Sequence, residues 1–151
     1  MEEAGIEVRP HWVMIDSSMT SNFQNPIDEP TLLATRYLAV AKEVDAVVGA
    51  TDYIGYGLVA AARNAAIDVP RELKIGGIDG YYTPGTPDTP RITTYQSPCV
   101  QSGRIAFEML EKTIRGELPL TEERLLRGEV IPGYSTVKDS KPSTRRKLQT
   151  R

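Results

Sequence analysis

The chain predicts an α/β fold built on a mainly parallel sheet. Three observations carry that reading: short apolar runs bounded by turn residues, amphipathic helical stretches between them, and acids or cap residues directly after the apolar runs. With 151 residues, 40% hydrophobic and 25% charged, the composition is that of one soluble globular domain.

The elements follow in order. Gly5 is read as the left-handed C′ residue of a helix already ending, so the chain is expected to begin inside an element, with further sequence ahead of it. From His11 to Asn25, the apolar group Trp12, Val13, Met14 and Ile15 gives way to a Ser/Thr/Asn-rich run, which predicts a short extended piece and a loop. Asp28 and Pro30 supply helix-start chemistry, and Leu32, Leu33, Leu38, Ala41 and Val44 recur at roughly helical spacing, as in a helix covering one face of a sheet.

Asp45-Ala-Val-Val-Gly-Ala50 has the length and β-branched content of a buried parallel strand. Thr51 and Asp52 then offer N-cap chemistry for a helix over 53–66, closed by Val69-Pro70. Leu73 to Ile78 is the next strand, weakened by Gly76 and Gly77, with Asp79 at its carboxyl end. The stretch from Gly80 to Pro90 is a surface loop punctuated by Pro84, Gly85, Pro87 and Pro90. Ile92 to Tyr95 is a short β segment, and 100–115 is a helix carrying Ile105, Met109, Leu110 and Ile114 on one face, with Gly116 as its stop. Alternation across Leu125, Leu126, Gly128 and Val130 suits a final strand over 124–131.

Composition also excludes function classes. No run of about 18 apolar residues offers a membrane span, and the start, Met1-Glu-Glu-Ala-Gly5, has neither a basic region nor an apolar export segment, so a cytoplasmic location is expected. One cysteine, Cys99, cannot form an internal disulfide and is read as buried and inert; one histidine, His11, leaves no metal cluster and no partner for a thiol nucleophile. No cofactor is expected: Gly76-Gly77 lacks the spacing of a dinucleotide loop. The 138–151 segment has six basic residues against Asp139, a local charge of +5 that leaves −7 of the net −2 elsewhere. Its Ser, Thr and Pro content reads as a disordered, solvated tail from 137 to 151, beyond a domain over 1–136.

Ligands of open parallel sheets bind beyond the carboxyl ends of the strands, where Asp52 and Asp79 both fall. The alternative reading of Asp52 is a helix N-cap, and that of Asp79 an Asx-turn into the loop. A strand-tip carboxylate suits vicinal hydroxyls, as in carbohydrate sites. An enzymatic carboxylate pair would also need one acid raised in pKa within a cleft, and nothing in the sequence supplies that setting, so the chain is read as a non-enzyme.

Several ordered phrases resemble the LacI/GalR transcriptional regulators, whose effector-binding portion shares its fold with periplasmic sugar-binding proteins. They are Asp45 to Asp52 with Ile54-Gly-Tyr-Gly57, Val69-Pro70 through Asp79, Arg91-Ile-Thr-Thr-Tyr-Gln96, and Gly103-Arg-Ile-Ala106. The resemblance runs from about Gly5 to Thr136 and corresponds to much of the family's C-terminal half, an incomplete lobe of the periplasmic-binding-protein-like (type I) fold. It implies effector contacts at Thr51, Asp52, Asp79 and Gln96. Because Ile15-Asp16-Ser17-Ser18 stands where some members present an aromatic, Tyr53 or Trp12 is read first as a core residue, with a substitute stacking platform as the alternative. The implied function is a regulator, a repressor, that senses a small sugar or derivative, and the implied assembly is a homodimer to which Leu73 to Ile78 contributes. DNA would be bound only through a helix-turn-helix domain absent from this chain. A solute receptor of a transport system is the alternative within the same architecture.

Overall fold

The computed structural model describes residue 5 and residues 7–16, 25–80 and 91–137. Its elements are α1 (Asp28–Val40), β1 (Ala46–Val48), α2 (Asp52–Asn64), β2 (Lys74–Ile78), β3 (Thr93–Gln96), α3 (Cys99–Ile114) and β4 (Glu129–Ile131). The strands form one sheet in the order β1-β2-β3-β4, with β1, β2 and β3 parallel and β4 antiparallel to β3. The predicted α/β class and parallel sheet are therefore present.

The core lies between α1, α2 and the β1–β2 part of the sheet. Ala34, Tyr37 and Ala41 meet Leu58, Ala61 and Ala62, with Leu73 and Ile75 beneath them. Ala61 and Ala62 let the two helices approach closely, and β-branched Ile75 fills the pleat under them. The sequence placed α1 on the sheet; it packs chiefly against α2, turning Pro30, Leu33, Ala34 and Tyr37 inward, while Leu32 stays exposed. Of the expected stripe, Leu33 and Ala41 are buried and Leu38 and Val44 pack against the core, so Leu32 is the member that turns outward.

α2 stops two residues short of the 53–66 expected. It ends at Asn64, where the Ala66 N–H bonds Arg63 O at 3.1 Å and the Ile67 N–H bonds Ala62 O at 2.9 Å. These two bonds make a Schellman cap, and they force Ala66 to φ +56°, a position glycine usually fills. α3 ends in the same motif with Gly116 at φ +75°, and the Gly116 and Glu117 N–H groups bond Thr113 O and Lys112 O.

Two further expectations change. The final strand is only Glu129–Ile131, and 122–128 runs to it without regular structure, held in part by the Gly128 N–H on Tyr95 Oη at 2.7 Å. The residues around Trp12 form a 3-10 turn, Pro10–Trp12, outside the sheet. That turn is tied to the loop after α1: Trp12 Nε1 donates to Glu43 Oε1 at 3.0 Å, His11 Nε2 contacts the same oxygen, and Arg9 lies 5.2 Å over the indole. Further along, Arg36 pairs with Asp16 at 2.6 Å.

β3 shows how a strand serves two faces at once. Thr93 turns toward the chain's end: its N–H bonds Ser135 Oγ at 2.9 Å, and its Oγ1 donates to Gly133 O at 3.1 Å. Ser135 is fully buried and donates in turn to Ile75 O at 2.5 Å, so the 133–136 turn stitches β2 to β3. Thr94 points the other way, toward α2.

α3 is amphipathic as predicted, yet none of its residues is buried. Phe107 is 69% and Ile114 78% exposed. Cys99, expected to be buried, is exposed: it opens a helix of which no residue is buried. Leu73 and Ile75, within the stretch expected to contribute to a dimer, are buried in the chain's own core. β2 is an interior strand, and its inward side chains are already used. The helix read before Gly5, the loop over 81–90 and the tail over 138–151 lie outside the described residues, although Gly5 does take φ +67°.

Candidate functional site

Because β1, β2 and β3 run parallel, their carboxyl ends share one edge of the sheet, and the predicted site residues gather there. Thr51 is extended and caps α2, its Oγ1 accepting the Ile54 N–H at 3.3 Å. The cap is therefore Thr51, and Asp52 is the first helical residue. Its negative charge in the first turn suits the helix dipole.

Asp52 is only 1% exposed. Its Oδ1 accepts the Thr94 hydroxyl at 2.6 Å, across the top of β2. The carboxyl reaches β3 because Gly77 has no side chain: a Cβ there would stand 2.3 Å from Asp52 Oδ1. The pair of glycines that weakens β2 as a strand thus admits the start of α2.

Asp79 ends β2 in the opposite condition, exposed and with φ +109°. A non-glycine residue at such an angle costs on the order of 1–3 kcal/mol and persists only where its surroundings hold it. Here the Asp79 N–H bonds Tyr95 O at 2.9 Å, and the next N–H, of Gly80, bonds Thr94 Oγ1 at 3.2 Å. Gly80 also has positive φ, +77°, and a Cβ on it would lie 2.7 Å from Gln96 Cγ. Gln96, exposed at the end of β3, therefore lies directly against the Asp79–Gly80 turn.

Asp79 and Gln96 are brought together on an exposed rim; Thr51 and Asp52 stand at the neighbouring helix start, with Asp52 beneath the rim. Tyr53 follows in α2, half-buried. Trp12 is neither core nor platform, because its partner Glu43 precedes β1 whereas the site follows it. Thr94 is the residue that sequence reading passed over. The signal was available: in a Thr-Thr pair within a strand, one hydroxyl must face the layer that holds Asp52.

Among the described residues no group of three or more His, Cys, Asp or Glu side chains is placed to hold a metal ion. No described helix is long and apolar enough to cross a membrane.

Comparison with known proteins bears on the fold. The sequence profile of the periplasmic binding protein-like domain matches residues 1–136. The HTH-type transcriptional regulator RegA of Clostridium saccharobutylicum is 27% identical over 137 residues, which is 91% of this chain and 39% of that protein. The chain thus spans about two fifths of the length of that relative. Among solved structures, the transcriptional regulator CelR–cellobiose complex superposes with a TM-score of 0.71 at 23% identity, over 89% of this chain and 38% of the other. A LacI family transcriptional regulator from Arthrobacter sp. FB24, in complex with lactose, gives 0.62 at 21% identity over 74% of this chain and 41% of the other. At such identities these two likenesses establish the fold. Taken with the profile match across residues 1–136, they make this chain a member of the periplasmic binding protein-like domain family.

Proposed function

We propose that this chain is the effector-sensing part of a LacI-type transcriptional regulator, a repressor, and that its effector is a small sugar or sugar derivative. The chain corresponds on this reading to the C-terminal part of the effector domain. DNA contact belongs to a helix-turn-helix region of the kind named for RegA.

The observation that carries the reading is the rim itself. Asp79 is exposed at the carboxyl end of a parallel strand, held in a costly backbone conformation, with Gln96 packed beside it. A carboxylate can accept from two vicinal hydroxyls, and a primary amide can both donate and accept, the chemistry a polyol needs. Asp79 and Gln96 would make direct contacts, with Thr51 and Tyr53 forming the adjoining wall and Asp52 beneath it. Two solved structures of similar fold are complexes with cellobiose and with lactose, which favours a saccharide over other polar metabolites. The curated relative is a transcriptional regulator, which favours sensing over solute transport and over catalysis.

The exposed apolar side chains of α3, Phe107 and Ile114 among them, are where the rest of such a domain would pack. A clamp of this kind regulates only if the effector binds its two states with different affinity. Titrating the complete gene product with a sugar panel that includes cellobiose and lactose tests the proposal. Saturable binding that weakens operator affinity is expected, and absence of binding across the panel would contradict it.

A further inference from the structure

Asp52, the residue most readily taken for a ligand contact, is the least accessible member of the site. It is 1% exposed, and its Oδ1 takes the Thr94 hydroxyl hydrogen at 2.6 Å. Thr94 is itself 1% exposed and stands in an interior strand, so its rotamer has little freedom. With its one hydrogen committed to Asp52, the hydroxyl can meet Gly80 only as an acceptor, and the Gly80 N–H lies 3.2 Å from it.

Gly80 is the second of two consecutive residues with positive φ, the first being Asp79 at +109°. Left to itself, that aspartate would relax toward the extended region. What opposes relaxation is the pair of amide hydrogen bonds on either side of the Asp79 carbonyl unit, to Tyr95 O and to Thr94 Oγ1. The first belongs to the sheet ladder. The second exists only while the Thr94 oxygen presents a lone pair rather than its hydrogen, and a partner for that hydrogen is Asp52.

We infer that Asp52 is a positioning residue: through the Thr94 hydroxyl it orients the acceptor for the Gly80 N–H and so holds Asp79 in its rim conformation. A packing feature supports the assignment. Gly77 leaves room for the Asp52 carboxyl on top of β2, since any Cβ there would be 2.3 Å from Oδ1. The link between α2, β3 and the Asp79–Gly80 turn is thus built into three positions: Asp52 at the start of α2, Gly77 in β2 and Thr94 in β3. The consequence for effector binding rests on the sensing function proposed above; the conformational link does not.

The test is amide hydrogen exchange by NMR on the 151-residue chain. In Thr94→Val, Gly80 exchange is expected to rise at least ten-fold, while the Gly49 and Ile75 amides, bonded to Gly76 O and Ser135 O, keep their protection. Thr94→Ser should restore Gly80 toward the wild-type rate, and Asp52→Ala should reproduce the Thr94→Val effect in the same direction. An unchanged Gly80 rate in folded Thr94→Val, a rise shared equally by Gly49 and Ile75, or no rescue by serine overturns the inference. A cellobiose and lactose titration of the complete gene product separates the two claims. If the wild type binds neither sugar, the exchange rates still decide the link. If it binds and Thr94→Val exchanges fast at Gly80 yet binds equally well, the positioning role is overturned and the sensing function stands.

Discussion

Asp52 lies so close over Gly77 that a single added methyl on the glycine would stand 2.3 Å from its carboxyl oxygen. Two positions 25 residues apart in sequence are therefore matched: a glycine where a strand would prefer a branched residue, and an acid where the helix begins.

Gly77→Ala is predicted to destabilise the chain by about 1–3 kcal/mol, the range for overpacking a filled interior. The added Cβ would also lie 3.1 Å from the Asp52 Cα and from Ile92 Cδ1, so withdrawal of the carboxyl alone would not relieve the clash. Urea unfolding measures the loss. A midpoint equal to wild type would show that α2 can lift from β2 without cost.

Ala66→Gly is predicted to act in the opposite direction. Ala66 holds φ +56° at the C′ position of α2 with both Schellman hydrogen bonds formed. Relief of the left-handed strain, less the entropy glycine adds to the unfolded chain, leaves a gain of roughly 0.5–1 kcal/mol. Calorimetry should record a rise of roughly 2–4 °C in Tm per kcal/mol. A fall in Tm would mean that residue 66 is not left-handed in solution.

Acid should release the 7–16 segment before it unfolds the core. Hydrogen bonds from His11 and then Trp12 hold the Glu43 carboxyl well below the usual carboxylate range, at about 2 rather than 4.5. A folded-state pKa depressed in this way contributes stability that is fully present above the unfolded value, near 4.5, and is lost as pH falls through about 2. Trp12 is the chain's single tryptophan, so its emission reports the release in that window. Glu43→Gln should abolish the transition; an unchanged acid titration in that variant would place the tether elsewhere.

Much of the fold was legible because local chemistry and packing agree. β1 and β2 were readable from apolar runs ending at turn residues, and α2 and α3 from periodicity with Thr51 and Gly116 at their ends. The failures have a common cause. Leu32, Leu125 and Cys99 sit in locally correct patterns, but which face is buried depends on neighbours distant in sequence, or on none. The end of α2 fell within two residues of the expected one, but its cap was not legible, because it uses an alanine in a glycine's role.

At the site, the positions of Thr51, Asp52, Asp79 and Gln96 followed from strand ends, and they do share one edge. Their accessibility did not follow. Nothing in the sequence around Asp52 announces that Gly77 and Thr94 draw its carboxyl inward, since that contact joins residues 42 positions apart. The positive φ of Asp79 was likewise invisible, because only the following glycine hinted at an irregular turn.

Asp79 is the proposed polar contact for a small hydroxylated effector. Isothermal titration of the complete gene product with cellobiose, lactose and related sugars, repeated with Asp79→Ala, measures this directly. Loss of even one hydrogen bond to a charged acceptor, worth about 1.5–3 kcal/mol, predicts a roughly 10–150-fold weaker Kd in the variant with its circular dichroism unchanged. A Kd within two-fold of wild type, about 0.4 kcal/mol, would remove Asp79 from the site and contradict the account.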